Sequence, residues 1–164
     1  MAVVIMELPV QLVNRFLLIV LVFFIGCNSP SNKLIVHEES KDFDSFSKQT
    51  TYKGVVFSGI VFNTNQDKDT ILIGEYKKGF KHGAWKTFYP NGSLKERRFY
   101  KKGLKVGLYE GFYNDGAKNF VFMFKNGEYN GTNRLWTKDG QLIEEFNYKM
   151  GREFGSQKVW YLDG

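Results

Sequence analysis

The chain has 164 residues, 43% of them hydrophobic and 24% charged, with a formal net charge of +6 and one cysteine. This balance excludes a disordered chain, falls short of the dense basic stripe of nucleic-acid binders, and leaves no cysteine pair for an intrachain disulfide or a thiolate metal site. The 16 Phe, 9 Tyr and 17 Gly against only 3 Pro favour strands and turns over helices.

The first feature along the chain is an uninterrupted apolar run from Phe16 to Gly26, preceded by Asn14 and Arg15. As a helix this run rises only about 16 Å, too short for a hydrocarbon core about 30 Å thick, so it is read as the apolar part of a secretory signal. Met6 is an alternative start to Met1. Phe24-Ile25-Gly26-Cys27 resembles a bacterial lipobox, although Phe24 stands where Leu is usual. The resemblance implies a signal peptide over 1–26, cleavage before Cys27, and a diacylglycerol on its sulfur that holds the protein on a membrane. Asn28 is not the Asp of a familiar inner-membrane retention signal, which favours the outer membrane over the inner within the cell envelope. Residues 27–50 contain little that could build a core apart from Leu34-Ile35-Val36, Phe43 and Phe46, and are read as the acylated cysteine followed by a flexible tether. A short strand over Leu34–Val36 is compatible with the pattern.

From residue 51 to 164 the chain repeats itself. Gly59, Gly83, Gly107, Gly131 and Gly155 are each 24 residues apart, as are Gly92, Gly116, Gly140 and Gly164, and Gly79, Gly103, Gly127 and Gly151. The units are 59–82, 83–106, 107–130, 131–154 and a partial 155–164. Asn91-Gly92, Asp115-Gly116 and Asp139-Gly140 are the dipeptides of tight turns between antiparallel strands. Each Gly-x-x-x-Gly (Gly79 to Gly83, and so on) is read as the reversal into the next unit. The expected product is an all-β, elongated antiparallel meander of 24-residue hairpins. Alternation assigns Phe88, Phe112, Trp136 and Trp160 to one aromatic column, and Tyr76, Tyr100, Phe124 and Tyr148 to a second. Leu94, Phe120, Phe122, Leu142 and Phe146 share the second column's face, and together the columns form an aromatic ladder on one side. A lone hairpin is marginal in water, so the units must support one another.

The pattern resembles the MORN repeat, in its shorter bacterial variant. The unit 83–107 carries Gly83, Trp85, Phe88, Tyr89, Asn91, Gly92, Leu94, Tyr100, Gly103 and Gly107 at the repeat's positions. The fourth unit departs, with Asn133 in the Trp85 column and Thr137 in the Tyr89 column. Proteins with this variant are often labelled YwqK-type antitoxins, a label that attaches to the repeat rather than to a mechanism. The resemblance implies an elongated β-sheet used for binding.

No catalytic constellation is legible. His37 falls in the tether and His82 in a connecting turn, without metal-type spacing; Glu96, Glu144 and Glu145 are explained by repeat position; and no phosphate-cradling glycine loop or cofactor motif is present. The candidate binding residues are Trp85, Tyr89, Tyr109 and Tyr113, expected on the face opposite Phe88, and the lysine column Lys77, Lys101, Lys125 and Lys149. The aromatics are a stacking platform if their face is open and core if it is covered. The lysines either hold an anionic surface or keep sheet edges from pairing. Residues 51–164 carry 19 basic and 12 acidic residues, net +7, so the excess of cations belongs to the repeats. The expected function is a non-catalytic binding or scaffold module for an envelope protein, with cell-wall or glycan binding and an antitoxin-like role as alternatives. No cofactor, metal or nucleic-acid partner is expected.

Overall fold

The structure, a computed structural model, describes residues 33–46 and 48–161. The signal segment, Cys27 and the last three residues of the partial unit lie outside the described residues. Among the described residues fifteen strands form two sheets. The main sheet runs in the order β1 (Leu34–His37), β5 (Gly59–Thr64), β6 (Thr70–Lys77), β7 (Phe80–Phe88), β8 (Leu94–Lys101), β9 (Leu104–Phe112), β10 (Lys118–Lys125), β12 (Gly131–Trp136), β13 (Leu142–Lys149) and β14 (Arg152–Glu153). The short β11 (Glu128–Tyr129) also pairs with β10, and β15 (Lys158–Val159) with β13. From β5 onward every pairing is antiparallel, as the hairpin repeat requires.

The two kinds of turn differ from the sequence expectation, and backbone geometry gives the reason. The Asn-Gly and Asp-Gly dipeptides do not form two-residue turns. The Gly92 N–H donates to the Tyr89 carbonyl at 2.9 Å and the Tyr89 N–H to the Ser93 carbonyl at 2.9 Å. Only Gly92, at φ 81°, is left-handed there, which is a three-residue loop closed by a glycine bulge. The two-residue turns sit at the other end of each hairpin. Lys78-Gly79 and Lys102-Gly103 both have positive φ at both residues, as do Asn126-Gly127 and Met150-Gly151. The second glycine of Gly-x-x-x-Gly therefore does not reverse the chain. Gly83 lies inside β7 at φ 65° and Gly107 inside β9 at φ 67°, where the register slips by two residues: Glu75 pairs with His82 but Ile73 with Lys86, and Tyr100 with Lys105 but Arg98 with Tyr109. The same slip recurs beside Gly131 and Gly155, and such a bulge bends the strand. His82 accordingly lies in β7 and not in a turn.

The bulge is filled by one repeat column, and the filling explains the fourth unit's departure. Trp85 lies on Gly74, where a Cβ would stand 2.3 Å from the indole, and its Nε1 donates to the Glu75 carbonyl at 3.1 Å. In the next unit Tyr109 lies under the flat Arg98 guanidinium, 4.1 Å from ring to cation. Asn133, which the Val121–Arg134 pairing puts across from the large Phe122, stands at the same place, and its Oδ1 accepts from the Met123 N–H at 2.8 Å. Gln157 does the same for the Asn147 N–H, also at 2.8 Å. Partner size falls as filler size rises, and each polar filler satisfies a backbone group that the bulge has freed.

The segment expected as a tether is folded from Lys33 onward and belongs to the same compact unit as the repeats. Strand β1 pairs in parallel with β5, Val36 opposite Val61. A parallel pair needs a crossover, and residues 38–58 supply it as a small sheet of β2 (Phe43–Asp44), β3 (Thr51–Tyr52) and β4 (Val55–Val56). This crossover lies over the first repeat as a roof. Its Phe43 and Phe57 rings meet Tyr76 edge-on at 5.8 and 5.9 Å, and Phe43 meets Phe57 at 5.4 Å. The core sits beneath it: Val36, Phe57, Val61, Tyr76 and Trp85 are buried, with Leu72, Tyr52 and Tyr100 packed against them. His37, read as a tether residue, lies in β1 with its ring 5.0 Å from Phe62.

Candidate functional site

The two faces of the main sheet carry different chemistry. One face bears the aromatic row, but its members are not the two columns expected. Trp85 shares the face of Tyr76 and Tyr100, with centroids 5.2 and 6.0 Å away, and Phe88 and Phe112 are not in that row. Strand pairing decides this: Gly83 faces Tyr100, so Trp85, two residues along, faces the same way. Past Tyr100 the row continues through Tyr109 and Phe120 (4.7 Å), Phe122 (stacked on Phe120 at 4.6 Å), Phe124, Tyr129 (4.6 Å from Phe124) and Tyr148 (5.1 Å from Tyr129). Each such pair is worth about 0.5–1.5 kcal/mol beyond simple burial. The roof stops near Tyr100. Beyond it Tyr109, Phe120, Phe122, Tyr129 and Tyr148 are half-buried, and only Phe124 is sealed, at 8% exposure.

Cations lie along this row. Lys81 Nζ is 4.1 Å from the Trp85 ring and 5.7 Å from Tyr100, and Lys105, one repeat on, is 4.9 Å from Phe124. Burial lowers the Lys81 pKa, opposed by the charge of Glu38 and reinforced by Arg98. Arg98 bonds Glu96 at 2.6 Å and also the Tyr109 hydroxyl. Burial pushes the Tyr109 hydroxyl up to about 12 despite the neighbouring Arg98, with Glu96 adding to the rise.

The opposite face carries a charged row across the strands. Arg97 holds Glu110 through Nε at 3.0 Å, and Arg134 holds Glu145 at 2.8 Å with Lys158 at 3.7 Å from the same carboxylate. Register places these side chains in line: Lys86, Arg97, Glu110, Val121, Arg134, Glu145 and Lys158 are successive cross-strand partners. Such half-exposed pairs contribute about 0–1 kcal/mol each and mainly fix register.

The candidate residues from the sequence separate into three groups. Trp85 is core, at 6% exposure, and Tyr109 belongs to the open part of the aromatic row. Tyr89 and Tyr113 stitch loop to loop: the Tyr89 hydroxyl donates to the Phe112 carbonyl at 2.9 Å and the Tyr113 hydroxyl to the Trp136 carbonyl at 2.9 Å. Lys77, Lys101, Lys125 and Lys149 are exposed at the two-residue-turn end of alternate strands, each beside a residue of the aromatic row and so on the other face. None of the four lies within ion-pair distance of an acid among the described residues. Sequence reasoning missed Lys81, Thr87 and Arg98 and set Glu96 aside as a repeat position. The signal was available in the pairing of columns, since Gly74, Arg98 and Phe122 recur every 24 residues opposite Trp85, Tyr109 and Asn133.

The profile of the MORN repeat variant family matches residues 81–102 and 129–150, segments two repeats apart. These two segments match the MORN repeat variant. No curated protein and no solved structure shows significant similarity to the chain. MORN repeats are generally non-enzymatic and are often involved in binding and scaffolding. Among the described residues no group of His, Cys, Asp and Glu could hold a metal ion, and no helix is long and apolar enough to cross a membrane.

Proposed function

We propose that this chain is a non-catalytic scaffold lipoprotein of the bacterial cell envelope that binds a partner protein through the open part of its aromatic face. One observation carries the reading: Tyr109, Phe120, Phe122, Tyr129 and Tyr148 form a contiguous, half-exposed row of rings on a regular sheet. Exposed apolar patches of this kind mark interaction surfaces, and aromatic and arginine side chains lead the energetics of protein interfaces. The glycan alternative would use the rings of Tyr89 and Tyr113, whose hydroxyls bond the neighbouring loops. An acyl chain on Cys27 would hold the module on a membrane, the outer one in this reading, and the antitoxin-like role fits a membrane-held product least well.

A photoreactive residue placed at Phe122 in the full-length protein should crosslink one envelope protein, whereas the same residue at Arg97, on the charged face, should not. Equal adducts from both positions, or adducts only from Arg97, would reject the reading. The Cys27→Ser chain should lose labelling by fatty acid and leave the membrane fraction; unchanged fractionation would remove the lipid anchor from the proposal.

A further inference from the structure

Where the roof ends, the aromatic face contains a small groove of about 130 Å³ lined by Leu72, Lys81, Trp85, Thr87, Glu96, Arg98 and Tyr100, with Lys86 at its rim. One liquid water takes up about 30 Å³, so the groove has room for a single side chain and none for a cofactor. Three observations bear on what fits. The ammonium of Lys81 lies half-buried against Trp85 and forms no ion pair among the described residues. The Thr87 hydroxyl is buried with no hydrogen-bond partner, and leaving such a group unpaired costs about 1–3 kcal/mol. The one acid in the lining, Glu96, is already bonded to Arg98, and Glu38 reaches Lys81 only through its charge, so the Lys81 ammonium is left with no carboxylate in contact.

We propose that this groove is a carboxylate pocket that seats an acidic side chain of the partner segment docked on the open aromatic face. Lys81 Nζ donates to the carboxylate, Trp85 and Tyr100 flank its methylenes, and the Thr87 side chain forms part of the groove wall. The proposal rests on the protein-docking reading above and names the chemistry that the docked segment must carry. Lys105 repeats Lys81 one unit on, opposite Tyr100 as Lys81 is opposite Tyr76. Two strand spacings, about 9.6 Å, separate the two positions, close to the ~9.3 Å rise of one three-residue turn of a polyproline II segment, which also brings residues three apart back to one face. A segment with acids three apart therefore places one carboxylate beside each lysine.

The test uses the full-length protein and a fluorescent octapeptide with blocked ends, glutamate at its third and sixth positions, and tyrosine or proline elsewhere. Its counterpart has glutamine at the two positions. The glutamate peptide should bind roughly tenfold tighter than the glutamine peptide, the scale of one charge-assisted hydrogen bond. Lys81→Met, which keeps the aliphatic stem on Trp85, should erase that ratio; Lys81→Arg should keep most of it, and Lys77→Met, on the other face, should leave it intact. Equal affinities that are both lost in Phe122→Ser would overturn the carboxylate pocket and leave the docking reading standing. No binding of either peptide, with no Phe122 crosslink, would remove both. Phosphatidylglycerol vesicles captured through Lys81, with the two peptides bound alike, would overturn the proposal in favour of a lipid headgroup.

Discussion

The first repeat and the third present the same columns to the same face but live in different surroundings. In the first, Tyr76 is sealed under Phe43, Tyr52 and Phe57, and the indole of Trp85, from the start of the second, rests directly on its Gly74. In the third, Phe120 rests on Gly111 in the same manner, with a Cβ at Gly111 standing 2.1 Å from the ring, yet Phe120 and Phe122 are only half-buried. A repeat sequence thus encodes rows of rings, and a non-repeat segment decides which of them become core. The roofed half supplies a nucleus of stability and the open half supplies surface, a division expected where each unit gains most of its burial from its neighbours.

Substitutions in equivalent places should divide along that line. Trp85→Ala should cost about 3–5 kcal/mol, as a large ring lost from a closed core does, and it also strips the Glu75 carbonyl of its donor. Phe122→Ala should cost about 1 kcal/mol, because its ring is half in water already. Urea denaturation of the two variants measures the gap, and equal losses would mean that the roof does not organise the core.

The glycine pair sharpens the same contrast. Gly74→Ala forces the indole aside within a packed environment and should destabilise by about 2–3 kcal/mol, within the range of overpacked cores. Gly111→Ala meets a ring with solvent on its outer side and should cost about 1 kcal/mol. A larger loss at Gly111 than at Gly74 would show the open row to be as tightly held as the roofed one.

The smallest effect is a dependence on alkaline pH. The Tyr109 hydroxyl is raised from 10.0 to about 12, with burial the first cause, and burial also raises Tyr76. An acid whose folded pKa is raised keeps its proton in the native state while the unfolded chain loses its own. Its stabilising effect is therefore complete below the unfolded value and disappears as pH climbs from about 10 to about 12. Stability measured across that window should fall, and Tyr109→Phe should flatten part of the slope. An unchanged slope would place the effect on Tyr76 in the roofed half.

The fold class, the unit length and the number of hairpins were legible from the spacing of glycines alone, because a turn that needs positive φ admits few other residues. Which glycine makes which turn was not legible. Asn91-Gly92 and Lys78-Gly79 both read as reversals, and only the hydrogen-bond register distinguishes a bulged three-residue loop from a two-residue turn. The same register explains why Trp85 joined the Tyr76 row. The residues at the groove were opaque for a related reason: Lys81, Thr87, Glu96 and Arg98 lie on separate stretches of β7 and β8, and only pairing brings them together.

The periodic sequence by itself determined an all-β meander of 24-residue hairpins with aromatic columns running across it, since local turn chemistry and alternation act over a few residues and repeat without outside help. Tertiary structure alone decided that the segment read as a tether supplies strand β1 and a roof over 38–58, that the first repeat is core, and that the third is surface. Those outcomes depend on a parallel pairing between β1 and β5 and on the crossover it forces across the face. Contacts of that kind join segments that no local pattern relates, and their stabilisation comes from burying Phe43, Tyr52 and Phe57 against rings that the repeats had already lined up.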